Sequence, residues 1–157
     1  MDNYGNLRNL PGEKKTPVIK INKNALQALH GIPYYDILPV SAGDFSALLN
    51  HEKPTSFINI PQLIDCMAAF PVFGTSMKGV IEPGDIIVVK EINNRMEFDP
   101  SLPYMIITDE NRMIKFLSID EIDNNIIWAD SPNHSRVRIS IENIKMVYAI
   151  KCVIRYY

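Results

Sequence analysis

The sequence predicts a mostly β domain, compact and largely antiparallel, with few short helices. Three observations carry this. From Phe57 onward the chain is built of apolar, β-branched runs of strand length. The runs are joined by short turn-rich connections. Helical periodicity is scarce.

Taken in order, residues 1–42 read as an N-terminal arm and linker, and residues 43–157 as the domain proper. The arm holds Pro11, Pro17, Pro33 and Pro39, and the residue before a proline disfavours helix. One short helix is predicted, capped by Asn22 or Asn24, running through Ala25–Leu29 and stopped by Gly31. One helix is too little for a helix-turn-helix reader of DNA. Ala68–Phe73 reads as a strand, and Ile86–Val89 as another after the turn Pro83-Gly84-Asp85. Tyr104–Thr108 and Arg112–Leu117 flank the polar loop Asp109-Glu110-Asn111 as a hairpin. Asn125–Ala129 is a further strand. Arg136–Ser140 alternates with period two, which predicts a half-exposed strand, and Lys145–Tyr156 predicts a long closing one. Helix is expected in part of Thr55–Asp65, with a turn around Met77–Val80.

Composition excludes several classes. The chain is 46% hydrophobic and 22% charged, a globular rather than a disordered composition. A net charge of −2 gives no global attraction to nucleic acid or membrane. Met1–Leu10 is polar, without the apolar core of a signal peptide, and no run reaches a membrane span, so a cytoplasmic protein is expected. Cys66 and Cys152 form no CxxC pair and suggest no metal site; they are two thiols or one disulfide, with thiols the expectation in a cytosolic chain. His30, His51 and His134 sit in unrelated contexts, and none suggests a Ser/His/Asp set.

The most informative stretch runs from Val72 to Val89. A strand leads into Gly74, then Thr75-Ser76-Met77, then Gly84-Asp85 and a second strand. A serine on a turn beside an apolar strand can present its hydroxyl together with backbone N–H groups, the pairing that acyl transfer needs. Gly-x-Ser by itself marks a turn as readily as a nucleophile. Lys115 lies between Ile114 and Phe116 in a strand, so it points away from both. Such a lysine is either solvated on an outer face or buried for a purpose. Ala42-Gly43, upstream, is either a linker turn or a bond between small residues that can enter a narrow site in extended form.

As a set, these elements resemble the LexA, phage-repressor and UmuD family of self-cleaving peptidases, over about residues 32–157. The motif residues are Gly74-Thr75-Ser76-Met77, Gly84-Asp85, Lys115 in its strand, and Ala42-Gly43. The family often carries proline two residues after the methionine; this chain has Gly79, which is expected to loosen the turn. The resemblance implies a LexA-like β domain with Ser76 as nucleophile and Lys115 as its general base. It implies an oxyanion site from the backbone of Thr75, Ser76 and Met77, and cleavage of the chain's own Ala42–Gly43 bond. Such a base must be neutral, so burial must lower its pKa.

The resemblance implies no cofactor or metal. It implies a homodimer, built in part by the segment with Ser131-x-Asn133 and the closing strand, whose residues read as structural. It also implies a RecA filament as trigger, and DNA contact only through a helix-turn-helix domain outside this chain. Two other readings stay open: a non-cleaving dimerisation module of a phage-type repressor, and a UmuD-like accessory protein of a translesion polymerase. A signal-peptidase relative shares the serine motif but would need a membrane anchor.

Overall fold

A computed structural model describes residues 31–36, 53–93 and 97–156. The helix predicted before Gly31 and the Ala42–Gly43 bond lie outside the described residues. Among the described residues nine strands form one sheet: β1 (Ile32–Tyr34), β2 (Ser56–Ile58), β3 (Ala68–Pro71), β4 (Ile86–Glu91), β5 (Pro103–Thr108), β6 (Arg112–Ile119), β7 (Ile126–Ser131), β8 (His134–Ser140) and β9 (Ile144–Ile154). Their order is β2-β1-β3-β4-β9-β5-β6-β7-β8. Every pairing is antiparallel except β1 with β3. The protein is thus mostly β and largely antiparallel, as its strand-length apolar runs predict.

The long closing strand β9 is the spine, pairing β4 on one side and β5 on the other. Strands beside it are apolar without alternation because both of their faces are covered. On β4, Ile87 and Val89 join a cluster with Phe70, Met77, Ile81 and Tyr148, while Ile86 and Val88 pack with Ile32 and Cys66. On β5, Met105 and Ile107 enter the first cluster, while Tyr104 and Ile106 pack with Leu117, Ile127 and Val147. Toward the edge the pattern relaxes. On β8 the residues from His134 to Arg138 are exposed and Ile139 alone is buried, so this strand is more open than its period-two pattern suggests.

Two local expectations change. The segment read as an arm contributes β1 to the sheet, and Ile32 and Tyr35 to the core. Gly31 precedes it with φ +88°, and a Cβ there would come within 2.6 Å of the Ile58 carbonyl oxygen, so only glycine fits beside β2. Within Thr55–Asp65, the helix expected in part is replaced by strand β2 and one 3-10 turn, Pro61–Leu63. Pro61 sits where a proline can start a turn but lacks the N–H to extend a helix back through Ile58. Cys66 and Cys152 are both free thiols.

Residues 73–84 form a loop whose ends meet. Val72 N donates to the Asp85 carbonyl oxygen at 2.8 Å, and Gly84 N to that of Val72 at 2.9 Å. Met77 and Ile81 anchor the loop by burying their side chains in the core under it, each contributing roughly 1.5–3 kcal/mol. Asp85, only 2% exposed, closes the base. Its carboxylate accepts from Arg155 Nε at 2.8 Å, Arg155 Nη2 at 2.7 Å and Glu82 N at 2.7 Å. The Arg155 guanidinium holds the Asp85 carboxyl below the usual carboxylate range, against the opposing pull of burial.

Asp85→Asn should therefore cost about 2–3 kcal/mol in denaturant unfolding, because it breaks a charge-assisted fork at a buried oxygen. A group whose pKa is lower folded than unfolded lends stability above its unfolded pKa, and loses it as pH falls through the folded value. The thermal midpoint of the native protein should fall as pH drops below about 4, and Asp85→Asn should flatten that fall. An unchanged slope would show that Asp85 does not titrate with folding.

Candidate active site

The loop at 73–84 carries Ser76 to the edge of a cavity of about 420 Å³. Its walls come from β3, β4, β5, β6 and the loop itself, and include Phe70, Met77, Met105, Arg112, Ser76 and Lys115. The structure thus brings two of the predicted site residues, Ser76 and Lys115, to one cavity. Phe73 stands 75% exposed beside them, an apolar surface on the approach.

The Ser76 turn is built from consecutive tight turns. Lys78 N donates to Thr75 O at 3.1 Å, Val80 N to Met77 O at 3.0 Å, and Ile81 N to Met77 O at 2.9 Å. The N–H groups of Ser76 and Met77 donate no hydrogen bond among the described residues. They are the donors an oxyanion beside Ser76 Oγ would use. Gly79 takes a defined place in this turn. It adopts φ +100°, and its N–H donates to Glu82 Oε1 at 2.9 Å. A proline could do neither.

Lys115 reaches the cavity from β6. It lies across from Tyr104 of β5, while its neighbours Ile114 and Phe116 pack on the opposite face with Met77 and Met105. It is 6% exposed, and it and Asp85 are the buried charged side chains among the described residues. Asp85 has a cationic partner and Lys115 forms no ion pair among the described residues. Burial lowers its pKa from the ordinary lysine value, and the nearby Asp130 carboxylate opposes that only in part. The solvated outer-face lysine is therefore not what the fold builds.

Lys115 Nζ donates to Ser131 Oγ at 2.7 Å, at the end of β7. No hydrogen bond joins it to Ser76 among the described residues. Asn133, next along the β7–β8 turn, holds the Ser76 loop from outside. Its Nδ2 donates to Thr75 O at 3.1 Å and Lys78 O at 2.9 Å, and its backbone N to Ser76 O at 3.4 Å. Sequence reasoning took Ser131 and Asn133 as structural; their partners are named only by the strand pairing. It also passed over Arg112, which lines the same cavity with Nη1 shut from solvent and unpartnered, burial pushing its pKa down. No group of His, Cys, Asp or Glu among the described residues could hold a metal ion. No described helix is long and apolar enough to cross a membrane. His134 is exposed on β8, and His30 and His51 lie outside the described residues.

Two measurements follow from this geometry. Gly79→Ala should cost about 1–2 kcal/mol in denaturant unfolding, from the left-handed φ alone, since a Cβ there meets nothing. Gly79→Pro should cost at least about 3 kcal/mol. Equal costs would show that the turn is not set by this backbone. Lys115→Met should raise the thermal midpoint near neutral pH by a few degrees, because it removes a cation held in an apolar wall. A lysine pKa lower folded than unfolded penalises folding below the unfolded value, about 10.4. The gain should therefore shrink as pH climbs to that value, and a loss at all pH values would contradict the burial cost.

The chain matches no family model and no curated protein.

Proposed function

We propose that this protein is a self-cleaving serine–lysine peptidase of the LexA, phage-repressor and UmuD type, the cytoplasmic C-terminal part of a transcriptional repressor. The observation that carries the reading is a buried lysine with a lowered pKa on the wall of the cavity that also holds the turn serine. The free N–H groups of Ser76 and Met77 support an oxyanion site beside it.

Cleavage requires the Ala42–Gly43 bond to reach the cavity in extended form. Tethering supplies the effective concentration, so a modest nucleophile suffices for one turnover. Ser76 Oγ bonds to the Ala42 carbonyl carbon as neutral Lys115 Nζ takes the hydroxyl proton. The bond to Gly43 N then breaks, and the same proton passes to the leaving amine. Water attacks the ester, Lys115 takes its proton, and Ser76 leaves with that proton. The products are an Ala42 carboxylate and a Gly43 amine. Cleavage separates a DNA-binding part from its homodimerising half and so weakens repression, with a RecA filament as the trigger that favours docking. The open edge at β8 supports pairing with a second copy.

One observation favours the non-cleaving dimerisation module instead: among the described residues no hydrogen bond joins Lys115 Nζ to Ser76. Incubation at rising pH separates the two readings. Mass spectrometry should show a fragment boundary at Ala42/Gly43, absent in Ser76→Ala and Lys115→Ala. The rate should climb up to tenfold per pH unit from neutral. It should level off below the ordinary lysine range, because the pKa of Lys115 is lowered. An intact chain in all three proteins, with activated RecA added, would sink the peptidase reading.

A further inference from the structure

We propose that the β7–β8 turn is a two-pronged positioning device, with Ser131 aiming the Lys115 amine and Asn133 holding the Ser76 turn. The proposal rests on the peptidase reading and adds two positioning residues to it. It stands on geometry. The β6–β7 register sets Phe116 opposite Asp130, which brings Ser131 across from Lys115 on the same face of the sheet. Two residues on, the chain reverses, and Asn133 spends both hydrogens of its amide on the carbonyls of Thr75 and Lys78. These two carbonyls bracket Ser76 and Met77, so Asn133 fixes the outer side of the turn while Met77 fixes the inner side. One exposed turn therefore ties the nucleophile loop to the strand that carries the base, across more than fifty residues of sequence.

The chemistry gives each prong a separate task. A neutral lysine amine has two hydrogens and one lone pair. When Ser131 Oγ accepts one hydrogen at 2.7 Å, one direction of the amine is fixed, which limits how the lone pair can turn at the cavity that Lys115 and Ser76 both line. A hydroxyl acceptor also favours the charged amine, so it opposes burial. The charged and titratable groups around the amine are Tyr104 on β5, Asp130 on β7 with its partner Arg136 on β8, and Arg112 on its own strand. None of these is altered by Ser131→Ala. Asn133 touches no group of Lys115 and acts on Ser76 alone.

The test uses the full chain and two readouts. The first is the self-cleavage rate against pH for the native protein, Ser131→Ala, Ser131→Thr and Asn133→Ala. Ser131→Ala should lower the plateau rate at least tenfold and move the pH midpoint down, and Ser131→Thr should restore both. Asn133→Ala should lower the plateau at least tenfold and leave the midpoint in place. A merely structural role would lower all rates with one unchanged profile. The second readout is the titration of the Lys115 side chain by NMR in a Ser76→Ala background, which needs no cleavage. There Ser131→Ala should lower the titration midpoint, and Asn133→Ala should not. If the native chain cleaves and Ser131→Ala matches it in both readouts, the inference falls and the peptidase stands. If no chain cleaves, the peptidase reading falls, and an unmoved Lys115 titration overturns this inference as well.

Discussion

The buried Asp85 carboxylate is the constraint on which the site depends. A lone carboxylate at 2% exposure would be expensive. Arg155, at the far end of the chain, satisfies both of its oxygens, and Glu82 N adds a third donor. Three separate pieces are tied by that one group: the end of the Ser76 loop, the start of β4, and the C-terminal tail beyond β9. The backbone pair between Val72 and Asp85 then closes the loop at its base. With its ends fixed and Met77 and Ile81 sunk in the core, the loop has little freedom left to move Ser76.

Lys115 is the opposite case. Asp85 is buried with its charge matched, whereas Lys115 is buried with a hydroxyl for company and a carboxylate only nearby. Folding gains nothing from an amine held that way. The same desolvation that makes the position costly lowers the pKa of its amine, against the opposing pull of the nearby Asp130 carboxylate. The surrounding sheet carries that cost. β5, β6 and β7 are zipped together on both sides of Lys115, and Leu117, Ile127 and Tyr104 pack on its face.

Much of this was legible in the sequence. The runs Ile86–Val89 and Tyr104–Thr108 are apolar almost throughout and read as covered strands, Lys145–Tyr156 reads as a long closing strand, and the three are the centre of the sheet. The Ser76 turn is legible because it needs glycine and small residues at set places, and Lys115 because a lysine between Ile114 and Phe116 must point away from both. Other features were not. Thr55–Asp65 reads as part helix until its residues pair with β1, since a three-residue strand has no period of its own. β8 reads as half-exposed, yet position at the edge of the sheet leaves almost all of it open. That Ile32 belongs to the core depends on β3 lying beside it.

The sequence by itself determined the class of fold, the strands that make its centre, and the serine and lysine to watch. These are written in local pattern: side-chain alternation, turn residues, and glycine where the backbone requires it. Only the tertiary structure decided who meets whom. Nothing local links Arg155 to Asp85, Ser131 to Lys115, or Asn133 to the carbonyls around Ser76. Those contacts follow from strand order and register, set by the packing of the whole sheet. The desolvation that lowers the Lys115 pKa arises the same way, from strands that are distant in sequence and adjacent in space.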